Sequence, residues 1–229
     1  MKLCRSIADW HALRGAFAGR TLGLVPTMGA LHAGHLSLVQ RSQRESAATV
    51  VSIFVNPTQF DQAQDFDRYP RQTERDLALL KEAAVDAVFL PPRDEICPDA
   101  YRYRVSESEL SLRLCGAHRP GHFDGMLTVV MKLLNIVRPT RAYFGEKDYQ
   151  QLLLVRGMAR AFFLDTEIVG CPIVREPDGL AMSSRNQHLD AAQRRLAASL
   201  HQVLREPMET TDARARLQQL GFDVDYVED

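Results

Sequence analysis

Two closely spaced histidines follow the first apolar segment of the chain. His32 and His35 flank Ala33 and Gly34, shortly after the apolar residues 22–26. We interpret residues 21–25 as a buried strand and residues 35–39 as the opening of a helix, which places both imidazoles in a strand–helix loop. Such a loop lies at the carboxyl edge of a parallel sheet, where helix N-termini present N–H groups suited to phosphate. The spacing alone does not decide between phosphate binding, solvated histidines at a helix start and half of a metal site, but the position after a strand favours phosphate binding.

Four further polar segments fall at comparable positions. Residues 56–60 follow a second predicted strand, residues 145–148 follow a later one, and residues 182–186 lie in a region rich in turns. Residues 119–125 precede a long helix, so their glycines and the helix N-terminus could also face phosphate. If the strands are parallel, these segments converge on one cleft. Taken singly, each is more typical of a strand end, an ordinary turn or a solvated surface.

The elements that must position these side chains alternate regularly. Apolar runs at residues 49–55, 87–90 and 141–144 predict strands, and residues 72–84, 126–137 and 149–163 predict helices. The helix over 126–137 has the strongest pattern, with apolar residues at helical spacing and a proline after its end. This alternation predicts an α/β fold, a doubly wound (Rossmann-like) parallel sheet with right-handed helical crossovers.

The pattern changes after about residue 170. Prolines, a Pro-Asp-Gly sequence and paired serines predict turns, followed by helices over about 190–204 and 214–220. Alternating residues 222–227 are typical of a strand that needs a partner. We therefore expect a nucleotide-binding domain over residues 1–172 and a small, lid-like C-terminal domain over residues 173–229.

Composition narrows the functional class. The 28 Lys and Arg residues nearly balance the 29 Asp and Glu residues, so no broad basic field argues for nucleic acid as the partner. No segment has the roughly 18 apolar residues of a membrane span, and no leader is recognised, so the chain is expected to be neither secreted nor inserted. The four cysteines, which form no Cys-x-x-Cys pair, indicate reduced thiols in a cytoplasmic protein rather than a zinc site. A small-molecule substrate fits this composition best.

Several motifs taken together resemble one enzyme family. The segments 26–35, 54–60, 69–71, 119–125, 144–151 and 182–186 occur in the order seen in pantoate–β-alanine ligases, the pantothenate synthetases. These belong to the nucleotidylyl transferase superfamily, which shares the His-x-Gly-His motif. The resemblance implies ATP-dependent condensation of pantoate with β-alanine through a pantoyl adenylate, with release of AMP and pyrophosphate. This is a step in pantothenate biosynthesis, which supplies a coenzyme A precursor, and the resemblance also implies a cytoplasmic homodimer.

The resemblance assigns roles to individual residues. His32 and His35 would donate to the triphosphate, Lys147 would supply a mobile cation, and Ser183, Ser184 and Arg185 would hold the leaving pyrophosphate. Arg119 and His122 would lie near the phosphates. The other expected ATP-binding residues are Met28, Gly34, Gly145, Asp148, Val174 and Met182, and the expected pantoate-binding residues are Pro26, Thr27, Gln59 and Gln151. Mg²⁺ would bridge phosphate oxygens, so no protein ligand for it is assigned.

Two other functions are kept as alternatives. Another His-x-Gly-His nucleotidylyl transferase would use the same histidines, but it predicts basic residues where this chain has Gln59 and Gln151. A catalytically impaired nucleotide-binding remnant is the second alternative, because the C-terminal domain is shorter than the family's second domain and is expected to be truncated.

Overall fold

A computed structural model of the chain describes residues 1–61 and 63–228. Contacts within the chain divide it into two compact units, Met1–Pro172 and Ile173–Asp229. The nucleotide-binding and lid roles expected for these two parts stay predictions.

A single parallel sheet forms the centre of the N-terminal unit. Its six strands lie in the order β1-β4-β3-β2-β5-β6, and every neighbouring pair is parallel. The strands are β1 Lys2–Cys4, β2 Leu22–Thr27, β3 Ala48–Ile53, β4 Ala87–Phe89, β5 Arg141–Gly145 and β6 Glu167–Cys171. The predicted α/β fold with a parallel sheet is therefore confirmed.

Helices cover both faces of this sheet. The helices of the N-terminal unit are α1 Ile7–Arg14, α2 Ala33–Glu45, α3 Ala63–Arg68, α4 Thr73–Glu82, α5 Arg93–Ile96, α6 Cys115–His118, α7 His122–Val137 and α8 Tyr149–Ala161. Apolar residues of α1, α7 and α8 share one buried cluster with Leu22 and Leu24 of β2. Residues of α2 and α4 share a second cluster with Val25 of the same strand. Successive side chains of a strand point to opposite faces, so β2 contributes to both cores.

The order of the strands reverses beside β2. From β2 the chain proceeds through β3 to β4 on one side, and it later returns to place β5 and β6 on the other. The carboxyl ends of β2 and β5 are therefore neighbours at a topological switch point, where doubly wound sheets bind their ligands.

Several elements differ from the sequence prediction. The edge strands β1 and β6 and the helix α1 were not predicted, and the irregular stretch expected over residues 93–125 contains the short helices α5 and α6. Helix α7 begins at His122 rather than at residue 126. Gly125 therefore lies inside the helix, where a β-carbon would approach the Thr58 carbonyl oxygen to 2.3 Å. This glycine permits close packing instead of facing phosphate.

The C-terminal unit is small and mainly helical. It contains α9 Ala191–Arg205 and α10 Thr210–Leu220, which pack around Val203, Ala213 and Leu217. The predicted strand over residues 222–227 is wrong, because this segment is irregular. Its apolar residues Phe222, Val224 and Val227 pack on the helical cluster instead of pairing with a strand.

None of the helices in the described part of the chain is both long enough and apolar enough to cross a membrane.

Packing of α2 on the sheet depends on Gly23. A β-carbon at this position would lie 2.1 Å from the Ser42 hydroxyl and 3.1 Å from the Tyr143 ring. We predict that Gly23→Ala lowers the free energy of unfolding by about 1–3 kcal/mol, because either α2 or the strand must shift. Urea denaturation measures this change.

Gly157 provides the matched control. It lies within α8, is exposed, and has no atom within 4 Å of an added β-carbon. Gly157→Ala should raise the free energy of unfolding by roughly 0.5–1 kcal/mol, because alanine is the better helix former. Equal stability changes in the two variants would contradict the packing argument.

Candidate active site

The two histidines form the N-terminal cap of α2. His32 occupies the N-cap position, and its Nδ1 accepts a hydrogen bond from the Gly34 N–H at 3.1 Å. The His35 Nδ1 accepts from the His32 N–H at 3.4 Å, which completes a reciprocal capping box. Two N–H groups that a helix start leaves unsatisfied are thus bonded by imidazole nitrogens.

This cap determines which ring nitrogen carries the proton. An Nδ1 that accepts a hydrogen bond has no proton in the neutral imidazole, so in both rings the proton is on Nε2. The ring centroids of His32 and His35 are 4.1 Å apart. The arrangement therefore presents two neighbouring Nε2–H donors at the carboxyl end of β2.

His35 is held in its neutral form. Burial lowers the pKa of His35 to about 3, and the nearby His32 and the positive charge of Lys147 act in the same direction. Desolvation and neighbouring positive charge both disfavour an imidazolium. His35 is consequently a neutral hydrogen-bond donor at neutral pH, and it is within electrostatic reach of Lys147.

Lys147 lies on the 3-10 turn Glu146–Asp148 that follows β5. Its ammonium is 3.3 Å from a carboxylate oxygen of Asp148, and 40% of its side chain is exposed. An exposed ion pair of this kind is weak, so the ammonium can exchange partners at little cost. Beside it, Gly145 has open space where a β-carbon would stand.

Asn56 organises the loop after β3. It is buried, and its side-chain N–H groups donate to the Gln59 side-chain oxygen and the Gly125 carbonyl, both at 3.0 Å. Its oxygen accepts from the Thr58 N–H and from the Tyr101 hydroxyl. Because the Gln59 oxygen is engaged, the amide nitrogen of Gln59 is the group left to donate to a ligand.

Arg119 and His122 also hold the Gln59 segment. The His122 Nδ1–H donates to the Gln59 carbonyl at 2.6 Å, and Arg119 donates to the same carbonyl at 3.2 Å and to Asp61 at 3.0 Å. Burial lowers the pKa of His122, which agrees with a neutral ring that accepts from Arg119 through Nε2. These donors are engaged by protein oxygens, and the phosphate role expected for the two residues stays a prediction.

Adjacent glutamines on α8 have different surroundings. The Gln150 amide donates to the carbonyls of Leu110 and Arg113 and accepts from the Cys115 N–H, so it fixes residues 110–115. The half-buried Gln151 makes no side-chain hydrogen bond within the described residues. Its amide can therefore bind a ligand.

The remaining N-terminal candidates surround the end of β2. Pro26 lies inside this strand, Met28 is half-buried after it, and Gly34 lies in the first turn of α2. The Thr27 hydroxyl donates to the Ser52 carbonyl at 2.8 Å and accepts from the Gly29 N–H at 3.2 Å. Its side chain therefore shapes the loop.

Candidates in the C-terminal unit lie on a turn and on the segment that precedes it. The Met182 N–H donates to the Val174 carbonyl at 3.0 Å, which brings these two residues together. Ser183 caps the 3-10 turn Ser184–His188 by accepting from the Arg185 N–H at 3.2 Å. Ser184 is half-buried and Arg185 is exposed.

Sequence reasoning missed several residues that hold the site. Asp76, Asp61, Tyr101 and Gln150 bond loop groups that are distant in sequence. The sequence allows Asn56 to be interpreted as a strand terminator, but its position between a strand and a proline also indicates a residue that organises the loop.

Within the described residues, no group of three or more His, Cys, Asp or Glu side chains is arranged to hold a metal ion.

Comparison with known proteins gives one consistent result. The profile of the pantoate-β-alanine ligase family matches residues 2–228. The pantothenate synthetase of Bdellovibrio bacteriovorus is 50% identical over 228 residues, covering 100% of this chain and 90% of the relative. That of Coxiella burnetii is 49% identical, with 100% and 88% coverage.

Solved structures agree. The pantoate-β-alanine ligase of Francisella tularensis, described as complexed with β-γ ATP and β-alanine, superposes with a TM-score of 0.95 at 39% identity, covering 100% of this chain and 89% of that one. The pantothenate synthetase of Thermus thermophilus gives a TM-score of 0.87 at 45% identity, with 96% and 82% coverage.

The lowered pKa of His35 predicts a pH dependence of stability. The unfolded chain binds a proton at His35 below about pH 6.5, whereas the folded chain does so only near pH 3. Stability therefore falls as pH decreases through this window. Between about pH 6 and pH 5, the unfolding free energy of the wild type should therefore change more steeply with pH than that of His35→Gln. The difference between the two slopes should be up to about 1.4 kcal/mol per pH unit.

Urea denaturation at several pH values measures both slopes. Above about pH 7.5 the imidazole is neutral in both states, so the curves of the two proteins should run parallel there. Parallel curves below pH 6 as well would show that His35 is not held neutral.

Proposed function

The chain belongs to the pantoate–β-alanine ligase family and joins pantoate to β-alanine with consumption of ATP, and we propose that this chemistry takes place at the carboxyl ends of β2, β3 and β5. The observation that carries the proposal is the histidine cap of α2, in which the neutral imidazole of His35 lies within electrostatic reach of Lys147. The family assignment also argues against a transferase that uses a phosphate nucleophile.

In the first step, a carboxylate oxygen of pantoate attacks the α-phosphorus of ATP. An oxygen–phosphorus bond forms, the bond to the β-phosphate oxygen breaks, and pyrophosphate leaves. A carboxylate is already ionised at neutral pH, so the step needs no general base. It needs alignment of two anions and stabilisation of the charge that develops between them.

His32, His35 and Lys147 suit that requirement. The imidazoles donate to phosphate oxygens from positions fixed by backbone hydrogen bonds, so little reorganisation accompanies the reaction. The Lys147 ammonium leaves Asp148 and follows the charge of the phosphates. Gly34, Gly145, Asp148 and Met28 border the nucleotide in this proposal.

Pantoate is held by neutral amides. Gln59 and Gln151 donate to its hydroxyl and carboxylate groups without placing a full charge beside the nucleophile. The Asn56 contact that orients the Gln59 amide supports this role. Pro26, Thr27 and Met28 shape the surrounding pocket.

For the C-terminal unit we propose binding of the nucleotide by Val174 and Met182 and of the pyrophosphate by Ser183, Ser184 and Arg185. Hydroxyl donors and a planar guanidinium are suited to phosphate oxygens. A lid movement of residues 173–229 would exclude water from the hydrolysable adenylate.

In the second step, the neutral amine of β-alanine attacks the acyl carbon of the adenylate. A carbon–nitrogen bond forms, the carbon–oxygen bond to AMP breaks, and the proton that the amine loses passes to the departing phosphate or to water, so that pantothenate and AMP are released. The same donors that fixed the α-phosphate then stabilise the departing AMP.

Mg²⁺ is proposed to enter with the phosphates of ATP. The Asp61 carboxylate is engaged by Arg119, so in this proposal the cation is held by phosphate oxygens and water. When bound, it would neutralise part of the triphosphate charge.

We also propose a cytoplasmic homodimer that acts on small molecules and not on nucleic acid. The four free cysteines agree with a reducing compartment. The dimer rests on the family resemblance.

Lys147→Ala tests the charge-stabilising role. With ATP, Mg²⁺ and pantoate but no β-alanine, the wild-type protein should release one pyrophosphate per site, and the variant should do so about 10²-fold more slowly. Quenched-flow measurement of pyrophosphate gives this rate. Lys81→Ala, an exposed lysine in the last turn of α4, is the control and should match the wild type. Absence of pyrophosphate in the wild type would favour the impaired remnant.

Gln151→Ala tests the pantoate site. We expect a KM for pantoate raised by about tenfold, the loss of one hydrogen bond to a charged group, with an unchanged KM for ATP. Gln150→Ala should instead lower the urea midpoint, because it releases residues 110–115. An equal effect of Gln151→Ala on both substrates would exclude its proposed role.

A further inference from the structure

Asp76 is a buried carboxylate that bonds to the loop before the histidines. It lies in α4 and is 1% exposed. Its Oδ2 accepts from the Ala30 N–H and its Oδ1 from the Leu31 N–H, both at 2.8 Å. Within the described residues it forms no ion pair. The two charge-assisted hydrogen bonds therefore offset the free-energy cost of removing the carboxylate from water.

The loop that Asp76 holds has an unusual backbone. Gly29 and Ala30 both have positive φ, at 81° and 50°, and a β-carbon on Gly29 would lie 3.0 Å from the Asp76 Oδ2. Left-handed conformations are unfavourable for alanine and persist only where the surroundings impose them. The Asp76 carboxylate accepts hydrogen bonds from both N–H groups at the end of this turn, those of Ala30 and Leu31.

The bonded peptides lead directly into the histidine cap. Leu31 precedes His32, whose N–H and Nδ1 are engaged by His35 and Gly34. His32 is thus fixed from one side by the start of α2 and from the other by Asp76. Because the carboxylate engages the Ala30 and Leu31 N–H groups, contact with phosphate is left to the imidazoles and the helix start.

We propose that Asp76 is a positioning residue for adenylate formation. Its hydrogen bonds with the Ala30 and Leu31 N–H groups place His32 and His35. This inference rests on the proposed phosphate role of the two imidazoles. A purely structural role would change stability alone, whereas positioning changes the rate of the chemical step.

The test is Asp76→Asn, which keeps the shape but turns one acceptor into an NH₂ group facing an N–H. We expect kcat for pyrophosphate release to fall about 10- to 100-fold, the order expected for a displacement of about 1 Å, with KM for ATP and pantoate changed less than about threefold. Near-ultraviolet circular dichroism gives the folded fraction, to which kcat is normalised.

Asp86→Asn is the matched control. Asp86 also accepts a backbone N–H, that of Thr49 at 2.8 Å, but it lies near the amino ends of β3 and β4, away from the proposed site. It should lower the urea midpoint while leaving kcat unchanged. If Asp76→Asn behaves in the same way, with wild-type kcat per folded molecule, the positioning role is overturned.

Asp76→Glu covers the case in which the asparagine variant does not fold. It keeps the charge and both oxygens but moves them by one methylene, so a severalfold lower kcat is expected and a wild-type kcat overturns the proposal.

His35→Gln and Lys147→Ala, assayed in parallel, separate the proposed function of the site from the positioning role of Asp76. If both retain wild-type rates, the proposed function of the site fails. If both lose rate while the Asp76 variants do not, only the positioning role fails.

Discussion

The site depends on the reversal of strand order between β2 and β5. Helix α2 leaves the carboxyl end of β2 toward one face of the sheet, and α8 follows β5 toward the other. Their loops therefore diverge, which is the arrangement that leaves a ligand-binding crevice in doubly wound sheets. Residues separated by more than a hundred positions, such as His35 and Lys147, come within electrostatic reach of each other because of this topology. Without the reversal, α2 and α8 would lie on the same face of the sheet, and their loops would not diverge.

The loops along this crevice are held mainly by bonds between side chains and backbone. Asp76 holds the loop after β2, Asn56 holds the loop after β3, and Gln150 holds the segment before α6. Irregular loops leave backbone groups without regular partners, and buried side chains that satisfy those groups also fix their positions. Preorganised donors stabilise charge without rearrangement during the reaction, so the same bonds that stabilise the loops prepare them for the proposed chemistry.

The sequence predicted the central elements because their periodic patterns are strong, as in the apolar stripe of α7. It missed β1 and β6 because short edge strands carry few buried residues, and β6 has only two. It began α7 too late because Gly125 was interpreted as part of a loop, whereas the glycine permits contact with Thr58. The motif residues were accessible through family resemblance. Asp76 was not, because its importance arises from contacts with residues 45 and 46 positions away.

The distribution of charge agrees with the demands of the proposed first step. Burial, His32 and Lys147 keep His35 neutral, so this fixed donor carries no full charge, whereas the exposed Lys147 ammonium does. A rigid buried cation would bind the triphosphate equally well before and during the reaction, and uniform binding does not accelerate chemistry. An exposed ammonium with a weak partner can instead strengthen its contact as charge develops on the leaving phosphate. In the proposed mechanism, the imidazoles set the geometry, and the lysine supplies the interaction that differs between the ground state and the transition state.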